Sequence, residues 1–163
     1  GSGTISRPDG VGPCMTAPST APSPDPRLLD FVAGRRWGVL ATIKRDGRPQ
    51  LSNIGYTFDA SGPLIRVSVT ADRAKTRNLA ADPRASLHVT SPDFWSWVVV
   101  EGNAELTPPA AEPDDATVEE LVEYYRGISG EHADWAEYRA AMVAERRLVV
   151  RLRPGHAYGQ LSG

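Results

Sequence analysis

The chain has 163 residues, a formal net charge of −2 and 40% hydrophobic residues, which together predict one globular domain with a sizeable core. The slight acid excess argues against a general nucleic-acid binder, because such binding depends on positive charge, and no apolar run has the length of a membrane span. The single cysteine, Cys14, predicts neither a disulfide framework nor thiol chemistry, so we expect a cytoplasmic protein.

Residues 1–25 fall outside the expected domain. The segment "GSGTISRPDGVGPC" resembles a vector-derived remnant that ends before Met15, and it lacks the apolar region of a signal peptide. The following Pro/Ser/Ala-rich residues, up to Asp25, are predicted to be disordered. The domain is expected to span residues 26–163 and to begin with a helix at Pro26, because Asp25 can cap that helix and proline favours its first turn.

The sequence then alternates apolar and polar residues in short segments, which is typical of β-strands. Asp46-Gly47 predicts a hairpin between a first strand and a second strand that reaches Phe58. Four further main strands are predicted in the segments "LIRVSVT", "RASLHVT", "WSWVVVEGNAELT" and "RRLVVRLRP", and "HAYGQ" is a candidate for a short additional one.

Helices are expected at Ala74–Ala81, which Asp82-Pro83 would end, and from Thr117 onward. The sequence lacks the strand–helix–strand alternation that would indicate a parallel sheet. The pattern favours a mainly β fold with α-helices, namely a small antiparallel barrel with helices at its periphery.

The segment "VTADRAKTRNLAADPRA" concentrates positive charge around the short helix, in Arg73, Lys75, Arg77 and Arg84. One interpretation is a solvated helix face. The other is an anion site, because the backbone N–H groups of a helix start lack partners and can bind a phosphate. Ser68 and Thr70 precede the helix on the polar face of their strand and could add hydroxyl donors. From these residues alone, both interpretations stay open.

Aromatic residues and histidines give weaker signals. Trp95 and Trp97 alternate and so share a face of the predicted fifth strand, where they would pack against other residues or form a wall for a planar ring. The three histidines, His88, His132 and His156, have no metal-ligand spacing and do not predict a metal site.

Four segments, "WGVLATIKRDGRPQLSNIGYTFD", "VSVTADRAKTRNLAADPRASLHV", "VEGNAELTPP" and "HAYG", carry a resemblance that extends from Leu28 to Gly159. The chain resembles the split β-barrel family of flavin and deazaflavin proteins related to pyridoxamine 5'-phosphate oxidase, in particular the actinobacterial branch that uses the deazaflavin coenzyme F420. The resemblance implies a six-stranded antiparallel split barrel and a homodimer with cofactors bound between protomers. It also implies a reductase that passes hydride to an unsaturated organic substrate, for which tetrapyrrole pigments and conjugated lactones are typical classes.

The resemblance also implies site residues. Lys75 matches the family lysine that holds the cofactor phosphate. FMN-binding oxidases of the family carry an arginine directly before that lysine, where this chain has Ala74, and this difference favours F420 over FMN. The implied cofactor-binding residues are Asn53 near the ring system, Trp95 from the partner chain, and Ser68, Arg73, Ala74, Lys75 and Arg77 towards the phosphate. For Arg77 the alternative is pairing with Asp82 or simple exposure to solvent.

No side chain is assigned a catalytic role. Solvent is the expected proton donor, with His156 and Tyr158 as alternatives. Two rival functions remain open, an FMN-dependent oxidase or reductase of the same fold and a carrier that binds F420 without turnover.

Overall fold

The computed structural model describes residues 23–162. Residues 1–22, which hold the expected remnant and nearly all of the segment expected to be disordered, lie outside the described residues. The helices in the described range are α1 (Pro26–Ala33), α2 (Ala74–Ala81), α3 (Ala116–Ser129) and α4 (Trp135–Ala144). As the sequence predicts, α1 begins at Pro26, and the Asp25 carboxylate caps it by accepting a hydrogen bond from the N–H of Arg27 at 2.9 Å.

The strands of the described range form an antiparallel sheet. They are β1 (Trp37–Ile43), β2 (Pro49–Gly55), β3 (Thr57–Asp59), β4 (Leu64–Thr70), β5 (Arg84–Thr90), β6 (Trp97–Leu106), β7 (Arg147–Leu152) and β8 (His156–Gln160). The order across the sheet is β2-β1-β5-β6-β7-β4-β3, and β8 pairs with β6 outside this path. The mainly β fold class with an antiparallel split barrel and peripheral helices is confirmed.

The number of strands is eight among the described residues rather than the expected six. The predicted second strand divides at Tyr56, because this residue turns its ring into the core and donates a hydrogen bond to the backbone oxygen of Val32 at 2.6 Å. The segment after Tyr56 then pairs with β4 instead of continuing along β1. The C-terminal segment adds β8 as a strand of its own.

Strand β6 belongs to two sheets at once. Its first half, from Trp97 to Glu101, pairs with β8, whereas its second half, from Ala104 to Leu106, pairs with β7. Gly102 lies at the change of partner, where an added Cβ would collide with the backbone oxygen of Arg153. This change of partner on one edge of β6 splits the barrel into two half-sheets.

The two ends of the strand order, β2 and β3, are joined by the single residue Tyr56. Thr57 pairs with Arg66 in the β3–β4 ladder. Continuing that register places Gly55 opposite Ser68 and Asn53 opposite Thr70, and no ladder bonds join β2 to β4 in the described range. We call this gap, between residues 53–55 of β2 and 68–70 of β4, the seam.

The barrel interior is filled by the inward side chains of every long strand, such as Leu40, Val67, Leu87, Val100 and Val150. A second apolar cluster lies between α3, α4 and the outer side of β7, and includes Leu121, Val122, Tyr138, Met142 and Val149. Helix α3 therefore lies on the outside of the barrel, across β7, β4 and β3. No helix within residues 23–162 is both long and apolar enough to cross a membrane.

The prediction that Trp95 lies on a strand beside Trp97 was wrong, since β6 begins only at Trp97. Residues 91–96 form a closed loop instead, in which the N–H of Ser91 donates to the oxygen of Ser96 at 2.8 Å. The Asp93 carboxylate accepts hydrogen bonds from the Ser91 hydroxyl at 2.6 Å and from the N–H of Trp95 at 3.0 Å. These side-chain bonds favour a turn over a strand.

Candidate functional site

The start of α2 has the features of an anion site. The helix spans Ala74–Ala81, as predicted, and its N-cap residue Arg73 makes no capping hydrogen bond through its side chain. No acidic residue lies in the first turn. The hydroxyl of Thr76 donates to the backbone oxygen of Thr70 at 2.7 Å, which fixes the turn from β4 into the helix. The first N–H groups of α2 are thus left without a side-chain acceptor.

Lys75 is a half-buried cation in the first turn of α2. Burial lowers the pKa of its ammonium group below the ordinary value, and the positive charges of Arg73 and Arg147 lower it further. Lys75 forms no salt bridge with any carboxylate in the described range. A bound anion would relieve this unfavourable arrangement, because it supplies the missing opposite charge.

Arg147 is a site residue that sequence reasoning missed. It pairs with Thr70 across the β4–β7 ladder, and its Nη1 donates to the Ser68 hydroxyl at 3.3 Å. Its Nε donates to the Glu145 carboxylate at 2.7 Å. The sequence signal was the Arg146-Arg147 pair before the last main strand, but only the pairing of β7 with β4 brings this pair to α2.

A basic groove lies between the β4–α2 turn and the start of β7, with a volume of about 570 Å³. Its charged lining consists of Arg73, Arg146 and Arg147 together with Asp72 and Glu145. Arg146 has a left-handed backbone conformation, with φ of 51°, and its backbone oxygen accepts a hydrogen bond from Ala71 at 3.1 Å. With Lys75 nearby, cations outnumber carboxylates around this groove, which therefore favours an anionic ligand.

Across the seam, Asn53 is exposed on the outer face of β2, opposite Thr70. The hydroxyl oxygen of Thr70 is shielded from solvent. It lies beside the Asp72 carboxyl, whose pKa it lowers more than any other group does, so Asp72 is the acceptor that this hydroxyl faces. The exposed amide of Asn53 is the polar group at this level of the seam that is open to a ligand.

The remaining residues of the basic segment behave differently. Asp82 forms a salt bridge with Arg84 at 2.7 Å. The alternative pairing of Arg77 with Asp82 is therefore not observed, because the Asp82 carboxylate already binds another arginine. Arg77 is exposed and lines a separate groove together with Lys44 and Arg45. Ala74 is exposed at the first position of α2, where its small side chain leaves the helix start accessible. The structure thus brings Ser68, Arg73 and Lys75 together around Arg147, whereas Arg77 lines the separate groove while its charge still helps to lower the pKa of Asp72.

An apolar face covers the outside of strands β2, β1, β5, β6 and β8. One row of paired residues crosses all five strands and contains Asn53, Val39, His88, Val99 and Tyr158. The most exposed apolar side chains on or beside this face are Trp37, Leu51, Phe94 and Trp95, each more than 60% exposed. We call this surface the outer apolar face. Contiguous apolar surface of this kind marks an interaction site.

The candidate proton donors lie on the outer apolar face but far from the seam. Tyr158 and Asn53 are separated by four strand spacings of about 4.8 Å each, or roughly 19 Å along the sheet. His156 neighbours Tyr158, with ring centroids 5.8 Å apart. Neither residue reaches the seam of its own chain. Within residues 23–162, no group of three or more His, Cys, Asp or Glu side chains gathers as a metal site would require.

A known protein family covers nearly the whole described part of the chain. The sequence model of the family described as pyridoxamine 5'-phosphate oxidase matches residues 24–160. The chain belongs to this family. The matched range includes the β4–α2 turn, the seam and the outer apolar face. Every candidate site residue of this family member therefore lies inside it.

Relatives of this family member include an F420H(2)-dependent biliverdin reductase of Mycobacterium tuberculosis (strain CDC 1551 / Oshkosh), 30% identical over 78 residues. That alignment covers 48% of this chain and 56% of the relative, so the chain spans little more than half the length of the curated relative it matches. A solved structure named F420 Reductase is 28% identical, with a TM-score of 0.56 and coverage of 79% of this chain and 94% of the other.

The conserved hypothetical protein Rv2991 from Mycobacterium tuberculosis is 25% identical, with a TM-score of 0.65 and coverage of 83% of both chains. Two of these three relatives carry names that denote reductases. The family and the named relatives therefore agree on oxidoreductases as the general class of similar proteins.

Proposed function

We propose that this chain is a reductase that uses coenzyme F420 and transfers hydride to an unsaturated organic substrate. The observation that carries the proposal is the half-buried Lys75, which lacks a carboxylate partner among the described residues and stands at the uncapped start of α2. A phosphodiester bound there would pair with the ammonium group and with the free backbone N–H groups of the helix.

The choice of F420 over FMN rests on the charge distribution. Ala74 adds no guanidinium to the helix start, whereas the basic groove beside the helix start is lined by Arg73 and Arg146. FMN ends in a single phosphate, but F420 carries an anionic tail beyond its phosphodiester. A groove that extends beyond the phosphate position suits the longer anion, and the two relatives named for F420 support the same choice. Family membership supports the coarser statement, a flavin or deazaflavin cofactor.

When bound, the reduced deazaflavin supplies the hydride. The chain's own residues would hold and orient it: Lys75 and the start of α2 would bind the phosphate, and the exposed Asn53 would donate or accept hydrogen bonds at the seam. No described acidic side chain lines the seam at Asn53 and Thr70 other than Asp72, whose lowered pKa keeps it ionised near neutral pH. Solvent therefore remains the proposed proton donor.

A homodimer completes this proposal. Asn53 lies at one end of the row that crosses the outer apolar face, so a second copy of the chain seated on that face would reach the edge of the seam. The exposed Trp95 loop is then available to the neighbouring protomer's site, which is the role proposed for Trp95. Burial of Trp37 and Leu51 would supply apolar area for the association.

Side-by-side titration of the protein with F420 and with FMN tests the proposal. We expect F420 to bind with the lower dissociation constant and the reduced protein–F420 complex to reduce at least one conjugated acceptor, such as a tetrapyrrole or an unsaturated lactone. Tighter binding of FMN would instead favour the flavin enzyme of the same fold. Tight F420 binding without turnover across a broad panel of acceptors would favour the carrier.

A further inference from the structure

The hydroxyl of Tyr124, on α3, reaches across the seam to β2. It donates a hydrogen bond to the backbone oxygen of Gly55 at 2.8 Å, and burial raises the pKa of the phenol. Helix α3 itself packs against β4 and β7, on the other side of the seam. The Tyr124 hydroxyl thus ties β2 to the helix that covers β4, at the level where Gly55 faces Ser68.

Two neighbouring residues show that α3 covers the seam at this level. An added Cβ on Gly127 would lie 2.7 Å from the side chain of Thr57, and one on Gly55 would lie 3.1 Å from Ile128. One register step further along β2, Asn53 is exposed to solvent. The seam is therefore covered by α3 at Gly55 and exposed at Asn53.

We propose that Tyr124 is a positioning residue that fixes the separation of β2 and β4 and so shapes the seat of the cofactor ring between Asn53 and Thr70. This inference rests on the proposed function, because it assigns the ring of F420 to the open part of the seam. No ladder bonds hold β2 and β4 together among the described residues, so the Tyr124 hydroxyl ties them at this level through α3.

The alternative is that Tyr124 contributes only to stability. Tyr138 offers a matched control, because its hydroxyl also donates a buried hydrogen bond to a backbone oxygen, that of Leu121, at 2.8 Å. That bond joins α4 to α3 in the second apolar cluster and does not touch the seam. Tyr138→Phe and Tyr124→Phe each remove one hydroxyl while keeping the ring, so they should lower the unfolding temperature by similar amounts.

The test is fluorescence titration of the full chain with F420, using wild type, Tyr124→Phe, Tyr138→Phe and Lys75→Ala. We expect Tyr124→Phe to weaken binding about fivefold or more, and Tyr138→Phe to bind as wild type does. The bound F420 should also show a changed emission spectrum in Tyr124→Phe, since its ring environment differs. The effects of Tyr124→Phe and Lys75→Ala should add in the double variant, because the two residues would contact different ends of the cofactor.

Equal affinity and equal spectra for wild type and Tyr124→Phe would overturn the inference while leaving the proposed function intact. Absence of F420 binding by wild type would overturn the proposed function, and the inference with it. If Tyr124→Phe shows no cooperative unfolding transition, Tyr124→His replaces it, because the shorter imidazole retains a donor but would fall short of the Gly55 oxygen. Wild-type affinity in that variant would likewise overturn the inference.

Discussion

Replacing Lys75 with alanine should weaken cofactor binding without harming the fold. In the unliganded protein the ammonium group is half-buried, and Arg73 and Arg147 add to the cost of its charge, so the pKa of Lys75 is lowered. Removal of this charge takes away repulsion rather than an ion pair. We therefore expect the unfolding temperature of Lys75→Ala without ligand to match or slightly exceed that of wild type.

The loss of affinity follows from the bond that the ammonium group would make. A charge-assisted hydrogen bond to a phosphate contributes on the order of 1.5–3 kcal/mol. That range corresponds to roughly a 10- to 150-fold increase in the dissociation constant. Because Lys75 is half-buried, salt should screen its contribution less than that of the exposed Arg73.

The assay is F420 titration of wild type, Lys75→Ala and Arg77→Ala at two salt concentrations. Arg77→Ala is the matched control, since it removes a cation from the same helix but from the side that lines the other groove. We expect wild-type affinity for this control, within about twofold. No loss of affinity from either substitution would mean that the cations of α2 form a solvated surface, and the site assignment would be wrong. Equal losses from both would mean that the cofactor does not distinguish the two grooves, which would contradict the specific role of Lys75.

Three further predictions concern other parts of the molecule. Leu51→Lys places a charge on the outer apolar face and should convert the proposed dimer to a monomer, as measured by analytical sedimentation. A wild-type protein that sediments as a monomer at micromolar concentration would refute the dimer itself. Trp95→Ala should weaken F420 binding at unchanged thermal stability, because this exposed side chain contacts little of its own chain; unchanged affinity would remove it from the site. Burial opposes ionisation of Glu120, but its hydrogen bond to Arg151 and the charges of Arg151 and Arg66 outweigh burial and lower its pKa. The stability that this group contributes is present above the ordinary glutamate pKa of 4.5 and is lost as the pH falls through its lower folded-state pKa. In Glu120→Gln, the free energy of unfolding should therefore fall less steeply as the pH is lowered in the acid range. An unchanged acid dependence would contradict the stabilising role of the Glu120 carboxylate.

Local patterns in the sequence were sufficient for several elements. Asp25-Pro26 defined the start of α1, and Asp82-Pro83 defined the end of α2, because capping and proline restrictions act over a few residues. The predicted start of α3 at Thr117 was one residue late, since Asp115 caps that helix and the Thr117 hydroxyl donates to the oxygen of Pro108. Asp115 and Thr117 are both side chains that can cap a helix, and they lie within three residues of each other. Which of them caps α3 depends on tertiary contacts such as the bond between Thr117 and Pro108.

The parts of the site that sequence reasoning missed depend on distant pairing. Arg147 reaches Ser68 across 79 residues, and Tyr124 reaches Gly55 across 69. Neither contact has a local signature, because register between strands is set by the whole barrel. Trp95 was assigned to a strand because aromatic alternation mimics one, whereas the side-chain bonds of Asp93 form a loop there.

The central place of β7 in the strand order has a consequence for how the chain is made. Strand β7 lies between β6 and β4, so until residues 147–152 are available no ladder joins the two half-sheets, which are linked by the backbone at Tyr56 and by the connection through α2. During synthesis from the N-terminus, β4 would therefore wait with one edge unpaired while some 75 residues follow it. Closure of the barrel is then a late event of biosynthesis, and the basic groove, which needs Arg147, cannot form before it.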